Sequence, residues 1–66
     1  MIGVIRKLAL HKRYGFIRAG ETDYFFHHSG LQQTTKDFEE LGVGEEVEFT
    51  PIESPKGPRA ILIRVL

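Results

Sequence analysis

The chain contains no cysteine, which excludes a disulfide framework and a thiolate zinc site. It carries no net charge, with nine acids against nine bases and neutral histidines, so its overall charge singles out no polyanionic partner. No apolar run is long enough to span a bilayer, and no basic head followed by an apolar segment opens the chain. These absences fit a soluble protein of a reducing compartment; a cytoplasmic location and no membrane partner are expected. With 66 residues, one domain over residues 1–66 is expected, with a thin core, since a chain of this size buries only about 60% of its unfolded surface.

The zero net charge is a sum of unlike regions. Residues 1–18 carry five bases (Arg6, Lys7, Lys12, Arg13, Arg18) and no acid, whereas residues 19–50 carry eight acids against the single base Lys36. Residues 51–66 add Lys56, Arg59 and Arg64 against Glu53. If the two terminal segments meet in space, one face is basic and another acidic; the alternative is ordinary solvated charge scattered for solubility.

Period-two patterning dominates what remains. Residues 2–10 are apolar and β-branched, interrupted by Arg6 and Lys7, as in a half-exposed strand. A second strand is predicted over Tyr14–Arg18 and a third over Asp23–His28. Ala19-Gly20-Glu21-Thr22 between them makes a hairpin turn in which Gly20 accepts a positive φ. Residues 29–44 show no sustained alternation and contain a Thr34-Thr35-Lys36-Asp37 break. They read as a long connection with a 3₁₀ turn, because a helical turn over 37–41 would stop at Gly42. Val47 and Phe49 alternate with Glu46 and Glu48 in a fourth strand over Glu46–Thr50. Pro51, Pro55, Gly57 and Pro58 predict a loop over 51–58. The last strand runs from Arg59 to Leu66, with Ile61, Ile63 and Val65 expected on one face. Five short strands without a covering helix have to bury their apolar side against one another, which a closed or nearly closed five-stranded barrel achieves. An SH3-like barrel meets the same demand, and local patterning does not separate the two.

The chemistry of interest lies in the hairpin. Alternation places Tyr14 and Phe16 on one side of the second strand, with Gly15 and Ile17 opposite; Phe25 and His27 share a side of the third, with Tyr24 and Phe26 opposite. If Ile17 enters the core, one face presents Tyr14, Phe16, Phe25 and His27 beside Lys12 and Arg13. Turning rings to water gives up roughly 1.5–3 kcal/mol of burial each, and such a patch usually has a partner. Flat rings flanked by cations suit single-stranded nucleic acid, whose unpaired bases stack while the cations meet phosphates. Core packing or plain cross-strand aromatic pairs remain the alternative.

The order of residues resembles the cold-shock domain, a five-stranded OB-fold family, over about Gly3 to Val65. The family's first nucleic-acid motif, usually Lys-Gly-(Phe/Tyr)-Gly-Phe-Ile, stands here as Lys12-Arg13-Tyr14-Gly15-Phe16-Ile17. Its second, usually Val-Phe-Val-His-Phe, stands as Tyr24-Phe25-Phe26-His27-His28, followed by Ser29. Phe38, Leu41, Gly44, Val47 and Phe49 fall at the family's spacing, as does Lys56-Gly57-Pro58-Arg59-Ala60 before the last strand. The resemblance implies an all-β, five-stranded antiparallel OB-fold barrel with a long connection between strands three and four. It implies binding of single-stranded RNA or DNA with low sequence preference, RNA being the choice here, and a role as RNA chaperone or regulator of transcription or translation. Lys12, Tyr14, Phe16, Phe25, His27 and Phe38 would contact bases or backbone, Phe38 folding over the platform's edge. Lys7, Arg13, His28, Lys56 and Arg59 complete the expected nucleic-acid-binding set, the last two rimming the groove.

The departures from the family carry information. Its first strand usually reads Lys-Trp-Phe-Asn, where this chain has Arg6-Lys7-Leu8-Ala9. The platform loses two stacking surfaces and gains a cation. His28 replaces an aromatic, Arg13 a glycine, and Tyr24 and Phe26 replace valines, their bulk expected to be accommodated by the smaller Leu8 and Ala9. The acids of residues 37–48 are expected away from the platform.

An enzyme is not expected. No nucleophile–base–orienter set and no glycine-rich phosphate loop is present. Neither cofactor nor small-molecule substrate is expected. His11, His27 and His28 invite a metal reading, but adjacent strand residues point to opposite faces, so His27 and His28 are not expected to chelate together. A small protein-interaction barrel using the same aromatic face is the alternative function, and a monomer is expected.

Overall fold

A computed structural model of the chain describes residues 1–32 and 36–66. Gln33, Thr34 and Thr35, and with them half of the break expected in the connection, lie outside the described residues. These form β1 (Ile2–Ala9), β2 (Tyr14–Ala19), β3 (Thr22–His27), β4 (Glu46–Ser54) and β5 (Gly57–Val65), with 3₁₀ turns at His28–Gly30 and Phe38–Glu40 on the long connection. The strands close into a barrel in the order β1-β2-β3-β5-β4.

The barrel is not wholly antiparallel, which corrects the expectation. β3 and β5 run parallel and meet at Phe25 and Arg59. The long connection reverses the chain before the β4–β5 hairpin, so β5 reaches the far side of β3 in the same direction. β1 with β4 and β1 with β2 are antiparallel, as is β2 with β3.

Each strand points alternate residues inward. Ile5, Ile17, Phe26, Val47, Phe49, Ala60 and Ile63 form the core, joined by Phe38 and Leu41 from the connection. Two breaks in alternation decide what the outer surface shows. In β1 the register shifts between Ile5, opposite Ile17, and Lys7, opposite Phe16. Arg6 is the extra residue of a β-bulge, which leaves Arg6 and Lys7 both exposed and returns Leu8 towards the core. In β5 the register shifts between Glu48, opposite Arg64, and Thr50, opposite Ile61. Leu62 there adopts φ +51°. Ala60 and Ile63 are therefore the buried pair. Ile61 lies outside the core cluster, contrary to a simple Ile61–Ile63–Val65 face, whereas Ile63 is in it and Val65 packs against it.

The proline-rich stretch is also not a loop. β4 continues to Ser54, Pro51 opposite Ala60 and Glu53 opposite Pro58, and the chain turns over Pro55 and Lys56. Past Glu48, β4 has no β1 partner among the described residues, and strands with one neighbour are where proline is tolerated. Ser54 Oγ donates to the Gly57 carbonyl at 2.7 Å, closing the turn.

Arg13 holds the left-handed conformation, φ +57°, where the family usually has glycine. Its amide donates to the Ala9 carbonyl at 2.8 Å and its carbonyl accepts from the His28 amide at 2.9 Å, so the backbone is pinned there despite the side chain. A non-glycine residue pays about 1–2 kcal/mol for this geometry. Arg13→Gly is therefore expected to raise stability by about 1 kcal/mol and the melting temperature by about 5 °C. Thermal unfolding checks this, and a lowered melting temperature contradicts it.

Candidate nucleic-acid interface

The cross-strand register assembles the site. Lys7 of β1 faces Phe16 of β2, Phe16 faces Phe25 of β3, and Phe25 faces Arg59 of β5. Directly opposed residues share a face of the sheet, so two rings lie in a row with a cation at each end. At about 4.8 Å between strands the row spans about 14 Å. A second row places Tyr14 beside His27. Tyr14, Phe16 and Phe25 are half-buried, and none belongs to the core. Their centroids lie 5.4 Å apart for Tyr14–Phe25, 5.8 Å for Phe16–Phe25 and 6.2 Å for Tyr14–Phe16. These are favourable tilted and edge contacts that keep the rings in place.

Arg59 lies over the Phe25 ring, its guanidinium carbon 5.1 Å from the centroid. Its Nε is buried without a hydrogen-bond partner among the described residues. Beside it opens a groove of about 460 Å³ lined by Phe16, Phe25, His27, Ser54, Lys56, Pro58 and Arg59. The structure thus brings six of the expected residues, Lys7, Phe16, Phe25, His27, Lys56 and Arg59, into one row or groove, with Tyr14 in contact. Lys12 is exposed in the β1–β2 turn, two residues before Tyr14.

Three expectations are corrected. Phe38 does not fold over the platform's edge: it is 3% exposed, packed 6.1 Å from the Phe26 ring inside the barrel. The 3₁₀ turn that carries it places the ring inward and the acids Glu39 and Glu40 outward. His28 does not point away from His27, because β3 ends at His27 and the next residue opens a 3₁₀ turn. The two imidazoles lie 4.4 Å apart. His27 Nδ1 accepts from the Ser29 amide at 3.3 Å and lies 2.9 Å from Ser29 Oγ. Among the described residues no three His, Asp or Glu side chains gather to hold a metal ion.

The third correction concerns charge. The acids of 37–48 do not all lie away from the platform, because Glu39 reaches Arg13 at 3.2 Å. Two of the others are engaged elsewhere: Glu48 with Arg64, and Glu45 with Lys36. The Lys36 hydrogen bond, helped by the Gly42 amide, holds the Glu45 carboxyl below its ordinary value. Arg18 hydrogen-bonds Asp23 across the β2–β3 pair, which lowers the Asp23 pKa and raises that of Arg18. Among the described residues, Arg6, Lys7, Lys12, Lys56 and Arg59 stand outside every ion pair.

Three side chains at the site escaped the sequence reading. Arg6 is brought outward by the β1 bulge, for which the adjacent charges Arg6-Lys7 inside a strand were the available signal. Ile52 opposes Arg59 and extends the row onto β4, 38% exposed, and Ser54 lines the groove. Both were hidden by reading the prolines as a loop.

The pattern of matches to known proteins agrees with this geometry. The family model described as 'Cold-shock' DNA-binding domain matches residues 1–66. A cold shock-like protein of Aquifex aeolicus is 39% identical over 66 residues, covering 97% of this chain and 91% of that protein. The cold shock-like protein CspI of Escherichia coli K12 is 37% identical over 68 residues, covering 100% and 94%. Among solved structures, drosophila Unr CSD456 superposes with a TM-score of 0.76 at 33% identity over 98% of this chain, which spans 26% of that one. With the whole length matched by the family model and a barrel to correspond, the chain belongs to the cold-shock domain family.

Proposed function

We propose that this domain binds single-stranded nucleic acid, RNA in preference, with little sequence discrimination, and acts as an RNA chaperone or as a regulator of transcription or translation. Membership of the family supports nucleic-acid binding in general. The observation that carries the finer reading is the row Lys7–Phe16–Phe25–Arg59, two stacking rings between two cations that no carboxylate neutralises among the described residues. Rings stack on any base, which gives affinity without sequence readout. With Lys7 where the family has tryptophan, cations take a larger share of the binding energy.

That share has a measurable signature. If about three to four phosphates are neutralised, each adds about 0.7 to the log–log slope, and raising salt from about 50 to about 300 mM weakens binding about 40- to 150-fold. Affinity that holds within a few-fold across that range contradicts the electrostatic part. The test of the reading itself is an NMR titration of labelled domain with a short oligopyrimidine, as RNA and as DNA. Saturable shifts centred on Tyr14, Phe16, Phe25 and His27 support it; no saturable change at low salt overturns it.

A further inference from the structure

We propose that Glu39 limits the affinity of this site, its carboxylate competing with a ligand phosphate for Arg13. The inference rests on the single-strand reading above and concerns how that site is tuned. Arg13 immediately precedes Tyr14 and, from the sequence, is a base expected to meet the ligand; in the free domain its Nη2 lies 3.2 Å from Glu39 Oε1.

Both groups are open to water, with side chains 55% and 60% exposed. An exposed pair of this kind is weak, so a phosphate can displace the carboxylate from Arg13. The carboxylate itself stays near. Glu39 follows Phe38, whose ring is locked in the core. The 3₁₀ turn is closed by the Leu41 amide on the Phe38 carbonyl at 3.1 Å and by Glu40 Oε1, which accepts from the Asp37 amide at 3.1 Å. The core, not the ion pair, therefore fixes where Glu39 stands, and a phosphate taken by Arg13 remains beside a negative charge.

The surroundings reinforce this. Arg13, His28, Lys36, Asp37 and Glu39 line one depression of about 220 Å³. Lys36 spends its charge on Glu45, so Asp37 and Glu39 outweigh what Arg13 supplies. At the β1 edge of the platform Arg6 and Lys7 stand outside every ion pair among the described residues, and the carboxylate that shares their depression, Asp23, is bound to Arg18. A strand crossing the rings is held at the β1 edge and discouraged at the Arg13 corner.

The experiment is a binding titration with fluorescein-labelled hexathymidylate and hexauridylate, read by anisotropy at low and high salt. Glu39→Gln is expected to tighten binding about threefold at low salt, and less at high salt. Arg13→Ala alone is expected to change little, while in the Glu39→Gln background it abolishes the gain. Glu21→Gln, which makes the same change in net charge at the far end of the β2–β3 hairpin, serves as the control and is expected to leave affinity nearly unchanged. Thermal unfolding of each variant confirms that it is folded. A Glu39→Gln gain no larger than that of Glu21→Gln, or one that survives Arg13→Ala, overturns the inference while leaving the single-strand reading standing. Absence of binding by every protein, wild type included, overturns that reading and this inference with it.

Discussion

Gly15→Ala is expected to lower the stability of the domain by about 3 kcal/mol, at the upper end of ordinary overpacking costs. A Cβ on Gly15 would stand 2.4 Å from the Lys7 carbonyl oxygen and 2.8 and 3.0 Å from Cε1 and Cζ of Phe26. The first contact is with the backbone of a neighbouring strand, which cannot swing aside as a side chain does. The second is with a ring that has no measurable exposure and lies at the centre of the core. A domain of 66 residues has a total stability of about 3–10 kcal/mol, so the variant is expected to keep about 0–7 kcal/mol and to melt about 12–24 °C below the wild type. Urea or thermal unfolding measures this, and a melting temperature equal to that of the wild type would refute the close approach of Gly15 to Phe26.

The same contact shows where the Phe26 ring is seated. Leu8, Gly15 and Phe26 are successive partners across β1, β2 and β3. The Phe26 ring lies against the bare backbone of Gly15, with Leu8 packing at the cluster's edge. The family's first motif carries a glycine at the position of Gly15 too, so the extra bulk of Phe26 is still expected to be taken up at the smaller Leu8 and Ala9. Phe26→Val then leaves a void and costs about 2–3 kcal/mol. In that background Gly15→Ala costs less than in the wild type, because only the Lys7 carbonyl is still in the way.

What was legible in the sequence follows from which signals are local. The inward set Ile17, Phe26, Val47 and Phe49 and the outward set Tyr14, Phe16 and Phe25 both follow from strict alternation within unbroken strands. Alternation fails wherever the count of residues slips. The Arg6 bulge puts Lys7 on the platform, which periodicity alone would have turned inward beside Ile5. The Leu62 bulge exchanges Ile61 for Ala60 in the core. Both bulges are set by the partner strand, which a single strand's pattern does not contain. The β4–β5 hairpin was hidden for another reason: proline is a local veto on a central strand, and only the sheet order shows that β4 runs past its β1 partner. Phe38 was misplaced because a residue on a connection has no period to read, so a core staple and an exposed ring look alike until the turn that carries it is seen.

Phe25 and Phe38 are therefore expected to separate binding from stability. Phe25 is the centre of the platform: it faces Phe16 and Arg59 across the sheet, lies 5.4 Å from Tyr14 and lines the groove. Removing one stacking ring costs about 1–3 kcal/mol of single-strand affinity, so Phe25→Ala is expected to weaken oligopyrimidine binding about 5- to 150-fold. Arg59 loses its ring at the same time and is freed to solvent, which adds to the loss of a preorganised surface. Because Phe25 lies outside the core, the variant is expected to remain folded. Phe38→Ala empties a buried site and is expected to cost about 3–5 kcal/mol of stability. Phe38→Leu, which keeps most of the volume, is expected to stay folded and to bind within about twofold of the wild type. Unfolding curves and binding titrations on the three variants give the comparison. A folded Phe38→Leu that loses affinity as severely as Phe25→Ala would return Phe38 to the binding surface. A Phe25→Ala that unfolds the domain and binds normally once refolded by a stabilising osmolyte would mean that the three rings hold the barrel together and do not meet the ligand.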